Sequence, residues 1–465
     1  MLEEGFDLPV GWKWATVAEV IDDAQPGFAS GQKTVEGGLR HLRMNNIGAD
    51  CRLNLDLVAT VPMILLRSKY VLRPDDILVC HTNSLKLVGK TALFDLEDGP
   101  YAFSNHLTRL RVSPGMIDRR WLWHILATLW RERYFELRCK QWVNQATIER
   151  QTLLGAPVPL PPLPEQLRIV ARLEALLHEA RRTREALQRI LPLVKRFRRS
   201  VLAAAFRGQL VPQDPRDEPA ADLLERIRVE RRQRWAAQGK DPARYVEPAP
   251  PDTAGLGELP AGWVWTKMDQ IGDVSGGVAK NTRVQEGLRQ WPYLRVANVY
   301  AAELRLDEIK TIGVEESELR KVLLKRGDLL IVEGNGSLDQ IGRVALWDGS
   351  IPNCVHQNHL IKVRFDIEGL GPYALWWLIS TDGREQIQRV ASSTSGLYTL
   401  SISKVSMLPV PLPSLAEQRR IVARIEALFA QADAVEAAVA RGLRRLEQFE
   451  RSVLARAFRG ELLGR

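Results

Sequence analysis

The stretch LPPLPEQLRIVARLEALL, which begins at Leu160, returns as LPSLAEQRRIVARIEALF from Leu412. A shift of 252 residues lays the segment 163–208 over the segment 415–460 without a gap, and 25 of the 46 aligned positions are identical. Agreement over that length does not arise by chance, so the chain contains an internal duplication. The duplicated segment decides the architecture, because each copy predicts a long helix.

Each copy carries an apolar seam whose members alternate in steps of three and four residues. The first seam is Ile169, Leu173, Leu176, Ala180, Thr183, Leu187, Ile190, Val194, Phe197 and Val201, and the second is Ile421, Ile425, Leu428, Ala432, Val435, Val439, Gly442, Leu446, Phe449 and Val453. Such a heptad seam predicts helices that pack along their length, each about 70 Å long at ~1.5 Å per residue. We expect the two helices to pair, because neither could bury its seam alone; an amphipathic helix lying on a globular domain is the alternative. Pro192 predicts a kink in the first helix.

Composition limits the classes of protein that the chain can represent. It has 465 residues, with 65 Lys or Arg against 56 Asp or Glu, a net charge of +9 and a pI near 9.4. This length predicts two to four domains, and the basic excess favours a polyanionic partner, although a solvated helix face would look similar. The four cysteines form no CxxC pair, and neither a signal sequence nor a long apolar run is present. We therefore expect a cytoplasmic protein that is neither secreted nor membrane-spanning.

The duplication extends into the segment that precedes each helix. LPVGWKW at Leu8–Trp14 returns as LPAGWVW at Leu259–Trp265, and VPLP at Val158–Pro161 returns at Val410–Pro413. Short β-branched runs broken by Gly, Asn and Asp predict strands and turns, followed by a Trp- and Leu-rich helical patch. The predicted fold is α+β, with two globular heads of mixed strands and helices, an antiparallel coiled coil of two long helices, and a pseudo-two-fold repeat. The predicted boundaries are 1–161 and 259–413 for the heads, 162–210 and 414–465 for the long helices, and 211–258 for a short charged helix with a proline-rich linker.

The chain carries no recognisable catalytic motif. It lacks a GxxxxGK[ST] loop, a glycine-rich nucleotide loop between a strand and a helix, and the tetrapeptide with which amino-methyltransferases hold a flipped base. His356 and His359, with Cys354 nearby, could form a metal site, but a strand would place the two histidines on opposite faces. Glu308 and Lys310 could be half of a nuclease site, but a single ExK is common by chance. We therefore expect no metal site and no catalysis.

These features together resemble the specificity subunit of type I restriction–modification systems. The resemblance covers essentially the whole chain, in the order recognition domain, conserved helix, recognition domain, conserved helix. It rests most on the two stretches quoted above, while LRVANV, RGDLLIVEGNG, IGRVALW and VHQNHLIKVR in the second head are similar to recognition-domain segments of the family. The first head departs from this pattern where CHTN at 80–83 stands in place of the EGN at 333–335.

The resemblance implies a chain that binds double-stranded DNA and performs no chemistry itself. Each head would read one half of a bipartite target and the helix pair would fix the gap between the halves; because the heads differ, the target should be asymmetric. The implied partners are two methylating subunits, which carry S-adenosylmethionine, and restriction subunits, which use ATP and Mg²⁺, so no cofactor is expected on this chain. The alternatives are a coiled-coil assembly protein without sequence-specific DNA binding and a free-standing nuclease.

Base-edge readout requires Arg or Lys for guanine and Asn or Gln for adenine, carried on loops or strand ends. The candidates in the first head are Arg43, Asn45, Asn46, Asn83, Ser84, Lys86, Asn105, Asn144 and Gln145. Those in the second head are Arg295, Asn298, Asn335, Ser337, Gln340, Gln357, Asn358, the loop Ser392–Ser395 with Ser393, and Tyr398. An Asn at such a place can instead form a turn or cap a strand. On the long helices, Arg168, Arg172, Arg420 and Arg424 lie off the seam, where they could touch phosphate or a partner subunit, or cover the seam with their aliphatic stems.

Overall fold

The computed structural model describes residues 7–31, 35–239, 241–279, 287–394 and 396–463. The chain divides into two compact units, one formed by Met1–Gln188 with Ala440–Arg465 and the other by Arg189–Val439. Each unit therefore contains one head, part of the first long helix and part of the second. Within the described ranges, no helix is both long enough and apolar enough to cross a membrane.

The first head is built from short strands and two helices. Its strands are β1 (Lys13–Thr16), β2 (Ile21–Pro26), β3 (Leu39–Leu42), β4 (Ala59–Val61), β5 (Ile77–Cys80), β6 (Thr82–Asn83), β7 (Thr91–Leu93), β8 (Tyr101–Phe103), β9 (Leu107–Val112), β10 (Lys140–Trp142), β11 (Gln145–Thr147) and β12 (Pro157–Leu160). Its helices are α1 (Arg119–Arg131) and α2 (Arg150–Leu154). The first long helix, α3 (Leu163–Phe206), follows, and α4 (Ala220–Ala237) precedes the second head.

The second head contains a similar succession of elements with additional short strands and helices. Its strands are β13 (Val264–Lys267), β14 (Gly272–Ser275), β15 (Gln290–Leu294), β16 (Val299–Tyr300), β17 (Glu303–Leu304), β18 (Lys310–Gly313), β19 (Leu329–Val332), β20 (Gly334–Asn335), β21 (Val344–Leu346), β22 (Val355–His356), β23 (Leu360–Phe365), β24 (Ser392–Thr394), β25 (Leu397–Thr399) and β26 (Pro409–Leu412). Its helices are α5 (Met268–Ile271), α6 (Glu316–Val322), α7 (Leu370–Ile379), α8 (Thr381–Val390) and α9 (Ile402–Ser406), and the second long helix is α10 (Leu415–Phe458).

The three larger sheets of each head have the same strand order, and the second head also contains the two-stranded sheet β16-β17. The first contains sheets of order β2-β9-β5-β7, β4-β3-β8 and β10-β11-β6, and the second contains β14-β23-β19-β21, β18-β15-β22 and β24-β25-β20. In both, one pair of the three-stranded mixed sheet, β3 with β8 and β15 with β22, is parallel. The duplication thus extends through the whole of both heads, although their sequences have diverged.

The repeated proline motifs pair with the repeated motifs at the start of each head. β1 lies antiparallel to β12 with Trp14 opposite Pro159, and β13 lies antiparallel to β26 with Trp265 opposite Pro411. Proline is tolerated there because each sheet has only two strands and therefore only edges. This pairing joins the first strand of a head to the strand that leads directly into a long helix.

The helical patch of each head packs on the strand that leads into the long helix, which is β12 in the first head and β26 in the second. The aromatic residue that makes this contact differs between the heads. Trp121 donates its indole N–H to the carbonyl of Pro159, and Tyr373 donates its hydroxyl to the carbonyl of Pro411. Both aromatic residues are almost fully buried, as expected of core residues. The patch in the second head is broken at Ser380, whose hydroxyl caps the second segment by accepting the N–H of Gly383.

The two long helices pack together in an antiparallel arrangement, which confirms the predicted pairing. In the first unit, Ile169 near the start of α3 shares a core with Phe458 at the end of α10. In the second unit, Ile421 near the start of α10 shares a core with Phe206 at the end of α3. The core of the first head therefore includes the start of α3 and the end of α10. The core of the second head includes the start of α10 and the end of α3.

The apolar seam alternates between buried and exposed positions along its length. Phe197 and Phe449, which occupy equivalent positions, are each 41% exposed, and Val435 is 42% exposed. The heptad pattern predicted helices that pack along their length, and in the structure the ends of the helices contact the heads as well as each other. Leu187 packs directly against Gly442, where an added Cβ atom would lie 3.0 Å from the leucine side chain.

The segment between the first long helix and the second head is part of the second unit. Leu223 and Ile227 of α4 are fully buried in the core that also contains Phe206. Arg231 on the same helix forms an ion pair of 3.0 Å with the buried carboxylate of Asp366. The charged helix α4 therefore packs on the second head through its apolar side chains and Arg231.

Candidate nucleic-acid interface

The first group of predicted residues forms a tight turn at the end of β3 or β15. Asn298 is 3% exposed, and its side-chain amide donates to the carbonyls of Arg305 (2.8 Å) and Glu308 (3.1 Å) while its oxygen accepts the N–H of Arg295 (2.9 Å). Asn46 occupies the same position in the first head and is equally buried. Both asparagines therefore act as turn formers in this structure, and neither presents its amide to a ligand.

The neighbours of these asparagines differ between the heads. Arg43 is half-buried and forms no ion pair with any described residue, and Asn45 is exposed. In the second head Arg295 lies 3.3 Å from the carboxylate of Glu308, and Ala297 takes the place of Asn45. Among the described residues, the first turn thus presents an unneutralised cation and an amide, whereas the second presents a cation that already has an acidic partner.

A second group of predicted residues lies in the turn that separates β8 from β9 and β22 from β23. In the first head, Ser104 donates its N–H to the carbonyl of Leu42, while Thr82 donates its N–H to the carbonyl of His106. These two hydrogen bonds hold the turn between the end of β3 and the start of β6. The side chain of Asn105 in this turn is exposed.

The matching turn of the second head has the same position. Gln357 donates its N–H to the carbonyl of Leu294, and Glu333 donates its N–H to the carbonyl of His359. The side chains of Gln357 and Asn358 are half-buried. The Asn358 side-chain oxygen is buried and accepts no hydrogen bond from the described residues.

The third group lies on a small antiparallel sheet in each head. In the first head Asn83 of β6 pairs with Ala146 of β11, and the hairpin turns at Asn144, whose φ of 65° is the left-handed conformation that asparagine tolerates. Ser84, Lys86 and Gln145 are exposed beside it.

The corresponding sheet of the second head presents a different set of side chains. Asn335 pairs with Tyr398, and Ser393 also lies opposite Tyr398. Ser337 and Gln340 are exposed in the following turn, and Ser395 lies outside the described residues. The two hairpins therefore occupy equivalent positions but carry different polar groups.

In each head these three groups form one continuous polar edge. We define the first polar edge as residues 43–46, 83–86, 104–106 and 140–147, and the second as residues 295–298, 333–340, 357–359 and 392–399. The sequence predicted the members of each edge separately, and the backbone hydrogen bonds described above bring them together.

The hairpin tip of the first polar edge also carries two residues that the sequence did not suggest as site residues. Trp142 is 68% exposed and Val143 is 92% exposed. Large apolar side chains with that exposure beside polar groups are typical of contact surfaces, and proteins that bend DNA insert such side chains between base pairs. The available signal was an apolar pair directly before an asparagine turn.

The helix arginines fall into two classes. Arg168, Arg172 and Arg424 are exposed and form no ion pair with a described residue. Arg420 instead donates two hydrogen bonds to the Asp217 carboxylate, at 2.6 and 3.2 Å, and this hydrogen bonding lowers the pKa of that carboxyl. Arg420 is therefore occupied within the chain, contrary to its predicted availability for phosphate or a partner.

His356, His359 and the ExK motif at Glu308–Lys310 all form contacts within the chain. His356 is fully buried with its ring bonded to the carbonyl of Val322, and burial lowers its pKa to about 3. His359 pairs with Glu333, and Glu308 pairs with Lys310 at 3.4 Å. Among the described residues no three His, Cys, Asp or Glu side chains lie close enough to hold a metal ion.

Comparison with known proteins gives consistent matches over almost the whole chain. The family model described as "Type I restriction modification DNA specificity domain" matches residues 29–190 and 260–440. The specificity subunit of the type I restriction enzyme EcoKI from Escherichia coli strain K12 is 27% identical over 98% of this chain and 90% of its own length. The StySPI specificity subunit from Salmonella potsdam is also 27% identical, with the same coverage.

Solved structures share the fold. A chain from a structure of a type I R-M system aligns with a TM-score of 0.71 at 18% identity, over 98% of this chain and 100% of its own length. The HsdS subunit of Thermoanaerobacter tengcongensis aligns with a TM-score of 0.55 at 19% identity, over 99% of this chain and all of its own.

Proposed function

Because the chain belongs to the family of type I restriction modification DNA specificity domains, we propose that it gives a restriction–modification complex its DNA sequence specificity. The family match covers most of both heads, which confirms the resemblance that the duplicated sequence suggested. The alternative of a coiled-coil assembly protein is not favoured, because the curated relatives are specificity subunits. The chain itself carries out no methylation or cleavage in this proposal.

Each head reads one half of a bipartite, asymmetric target with its polar edge. The observation that carries this proposal is that two heads of identical sheet order present different side chains at equivalent positions of the edge. In the first head the exposed Asn105 and Gln145 are suited to adenine, and Arg43, which has no acidic partner among the described residues, is suited to guanine. Asn83 is not included, because its amide donates to the Cys80 sulfur and its oxygen accepts the N–H of Ser84. Asn46 and Asn298 are left out of the reading set, because their amides are consumed by the backbone.

The helix pair sets the distance between the two half-sites. Each long helix has 44 residues, which corresponds to about 66 Å at ~1.5 Å per residue. The exposed Arg168, Arg172 and Arg424 provide contacts to DNA phosphate or to two methylating subunits. Those subunits bind S-adenosylmethionine, and restriction subunits bring ATP and Mg²⁺. A complex that acts on chromosomal DNA in this way works in the cytoplasm.

Methylation mapping tests the division of labour between the heads. The full chain is combined with its methylating subunits, and methylated positions are mapped on a library with randomised half-sites. Asn105→Ala should relax one half-site by about 1–3 kcal/mol of discrimination, and the matched change Asn358→Ala should relax only the other half-site. Equal loss of preference at both halves in either variant would contradict the proposal.

A length change tests the role of the helix pair. Deleting one heptad at matching positions of both long helices should shorten the spacer by about 10 Å, or about 3 base pairs, without changing the bases that are read. An unchanged spacer in the mapped sites would refute the measuring role of the helices.

Salt dependence separates this function from the assembly-protein alternative. A chain that neutralises several phosphates should lose DNA affinity steeply as salt rises, with a slope of about −0.9 per phosphate contact in a plot of log affinity against log salt. An assembly protein would have a shallow slope and no preference between target and non-target duplexes.

A further inference from the structure

The unit that contains the first head has a cavity of about 880 Å³ that adjoins the first polar edge at Lys86. Trp123 and His124 of α1 form one wall, Arg181 of α3 and Arg451 of α10 form another, and Arg52 closes the side near the β3 turn. All of these residues belong to the same compact unit. A space of this size accommodates a small organic ligand.

The cavity has an excess of positive charge. Seven basic and four acidic residues line it. The paired members are Arg184 with Glu450 (2.9 Å), Arg133 with Glu136 (2.7 Å) and Arg451 with Glu447 (2.7 Å). The side chains of Arg52 and Arg181 form no hydrogen bond or ion pair with any described residue, and the carboxylate of Asp50 is used by the backbone N–H of Arg52 (3.1 Å). Two guanidinium groups therefore face this space without a described acidic partner.

A buried histidine gives independent evidence for a ligand. His124 is 4% exposed, and its Nε2 atom makes no hydrogen bond with the described residues. The nearest carboxylate oxygen, that of Glu174, is 3.7 Å away, which is too far for a hydrogen bond. A buried polar nitrogen without a partner costs free energy, so a group that supplies the bond should be stabilised here.

The second unit provides an internal comparison, because the repeat defines equivalent positions. A shift of 252 residues places Trp376 at the position of His124 and Asp433 at that of Arg181. Trp376 stacks on Phe429 with ring centroids 5.0 Å apart, and Asp433 pairs with Arg198 at 2.5 Å. At the equivalent position, the second unit thus has an aromatic pair and an arginine that is neutralised by an aspartate. The repeated fold therefore does not by itself require the unpaired arginines of the first cavity.

We propose that this cavity binds a phosphate group through Arg52, Arg181 and His124. Guanidinium groups match phosphate oxygens with paired N–H donors, and the imidazole adds a third donor. Two sources of phosphate fit. A free nucleotide could place its base along Trp123 or Trp130, which both line the cavity. A DNA backbone phosphate could also enter, because Lys86 belongs both to the cavity and to the first polar edge, and this second source rests on the proposed function.

Titration of the full-length chain with inorganic pyrophosphate, at constant ionic strength in chloride buffer, tests the site by calorimetry. Arg181→Gln should weaken binding about ten- to a hundredfold, the effect of removing one charged hydrogen-bonding group. Arg52→Gln is a second variant at an exposed position. Arg199→Gln removes the same charge from the equivalent groove of the second unit and should leave pyrophosphate affinity unchanged.

A parallel measurement with target and non-target duplexes separates the two sources. Saturable pyrophosphate binding that depends on Arg181 supports the site with a free ligand. Absence of pyrophosphate binding, together with an equal loss of affinity for both duplexes in Arg181→Gln but not in Arg199→Gln, supports the site with DNA phosphate. If Arg181→Gln changes neither, the proposal is overturned. A chain that binds pyrophosphate through Arg181 but binds no duplex would refute the proposed function and leave the cavity site intact.

Discussion

Two ion pairs across the long helices are related by the internal repeat. In the first unit Arg184 lies 2.9 Å from Glu450, and in the second Arg198 lies 3.1 Å from Glu436. A shift of 252 residues converts position 184 into 436 and position 198 into 450. Both contacts therefore carry arginine on the first helix and glutamate on the second. If the first helix paired with the first helix of another copy, Arg184 would face Arg198.

Reversing the charge at position 184 should weaken the pairing of α3 with α10 within one chain. It should also favour the pairing of α3 with α3 of a second copy. Arg184 and Glu450 are 32% and 22% exposed, so solvent screens part of their attraction. Losing the pair costs about 0.5–1 kcal/mol, and the glutamate of Arg184→Glu adds a like-charge contact of similar size, for a total of about 1–2 kcal/mol. This should lower Tm by about 3–6 °C. In a pairing between two copies of the variant, the introduced carboxylate would face Arg198, so Arg184→Glu should also begin to dimerise.

Differential scanning fluorimetry and size-exclusion chromatography with light scattering on the full chain measure both effects. The double variant Arg184→Glu/Glu450→Arg should recover the Tm and the monomer, because it restores the pair with its polarity reversed. Arg184→Glu/Glu436→Arg is the matched control, since it breaks both pairs and should be less stable than either single variant. The reasoning is refuted if the double variant is no more stable than Arg184→Glu, or if Arg184→Glu keeps the original Tm.

Three further predictions concern the heads. Asn298→Ala should destabilise the second head by about 2–3 kcal/mol, seen as a lower Tm without DNA, because it leaves three backbone groups without their partner. Gln340→Ala, at an exposed side chain that forms no hydrogen bond with a described residue, should leave Tm unchanged, and a similar Tm loss in both variants would contradict the assignment of Asn298 as a turn former. Burial lowers the pKa of His81 to about 4, whereas an unfolded histidine titrates near 6.5, so its contribution is present above pH ~6.5 and is lost as the pH falls towards 4. His81→Gln should therefore flatten the pH dependence of the free energy of unfolding, measured by urea denaturation between pH 4 and 7, by roughly 2–3 kcal/mol, and parallel curves for the two proteins would refute this.

The sequence by itself determined the duplication, the two long helices and their pairing. These features depend on local periodicity and on an identity that is readable without contacts, since a helix side chain returns to the same face every three or four residues. The burial of the aromatic helices in the heads and the absence of familiar catalytic motifs also followed from residue types alone. The family resemblance rested on the same stretches.

The tertiary structure alone decided which of the candidate polar residues are available. Asn46 and Asn298 have the composition of reading residues, but the turn consumes their amides, and Arg420 is neutralised by Asp217, 203 residues earlier in the chain. Strand order, the assembly of each polar edge and the charged cavity depend on hydrogen bonds and packing between segments far apart in sequence. A residue's type states which bonds it can make, but only the folded chain determines which of those bonds are already satisfied.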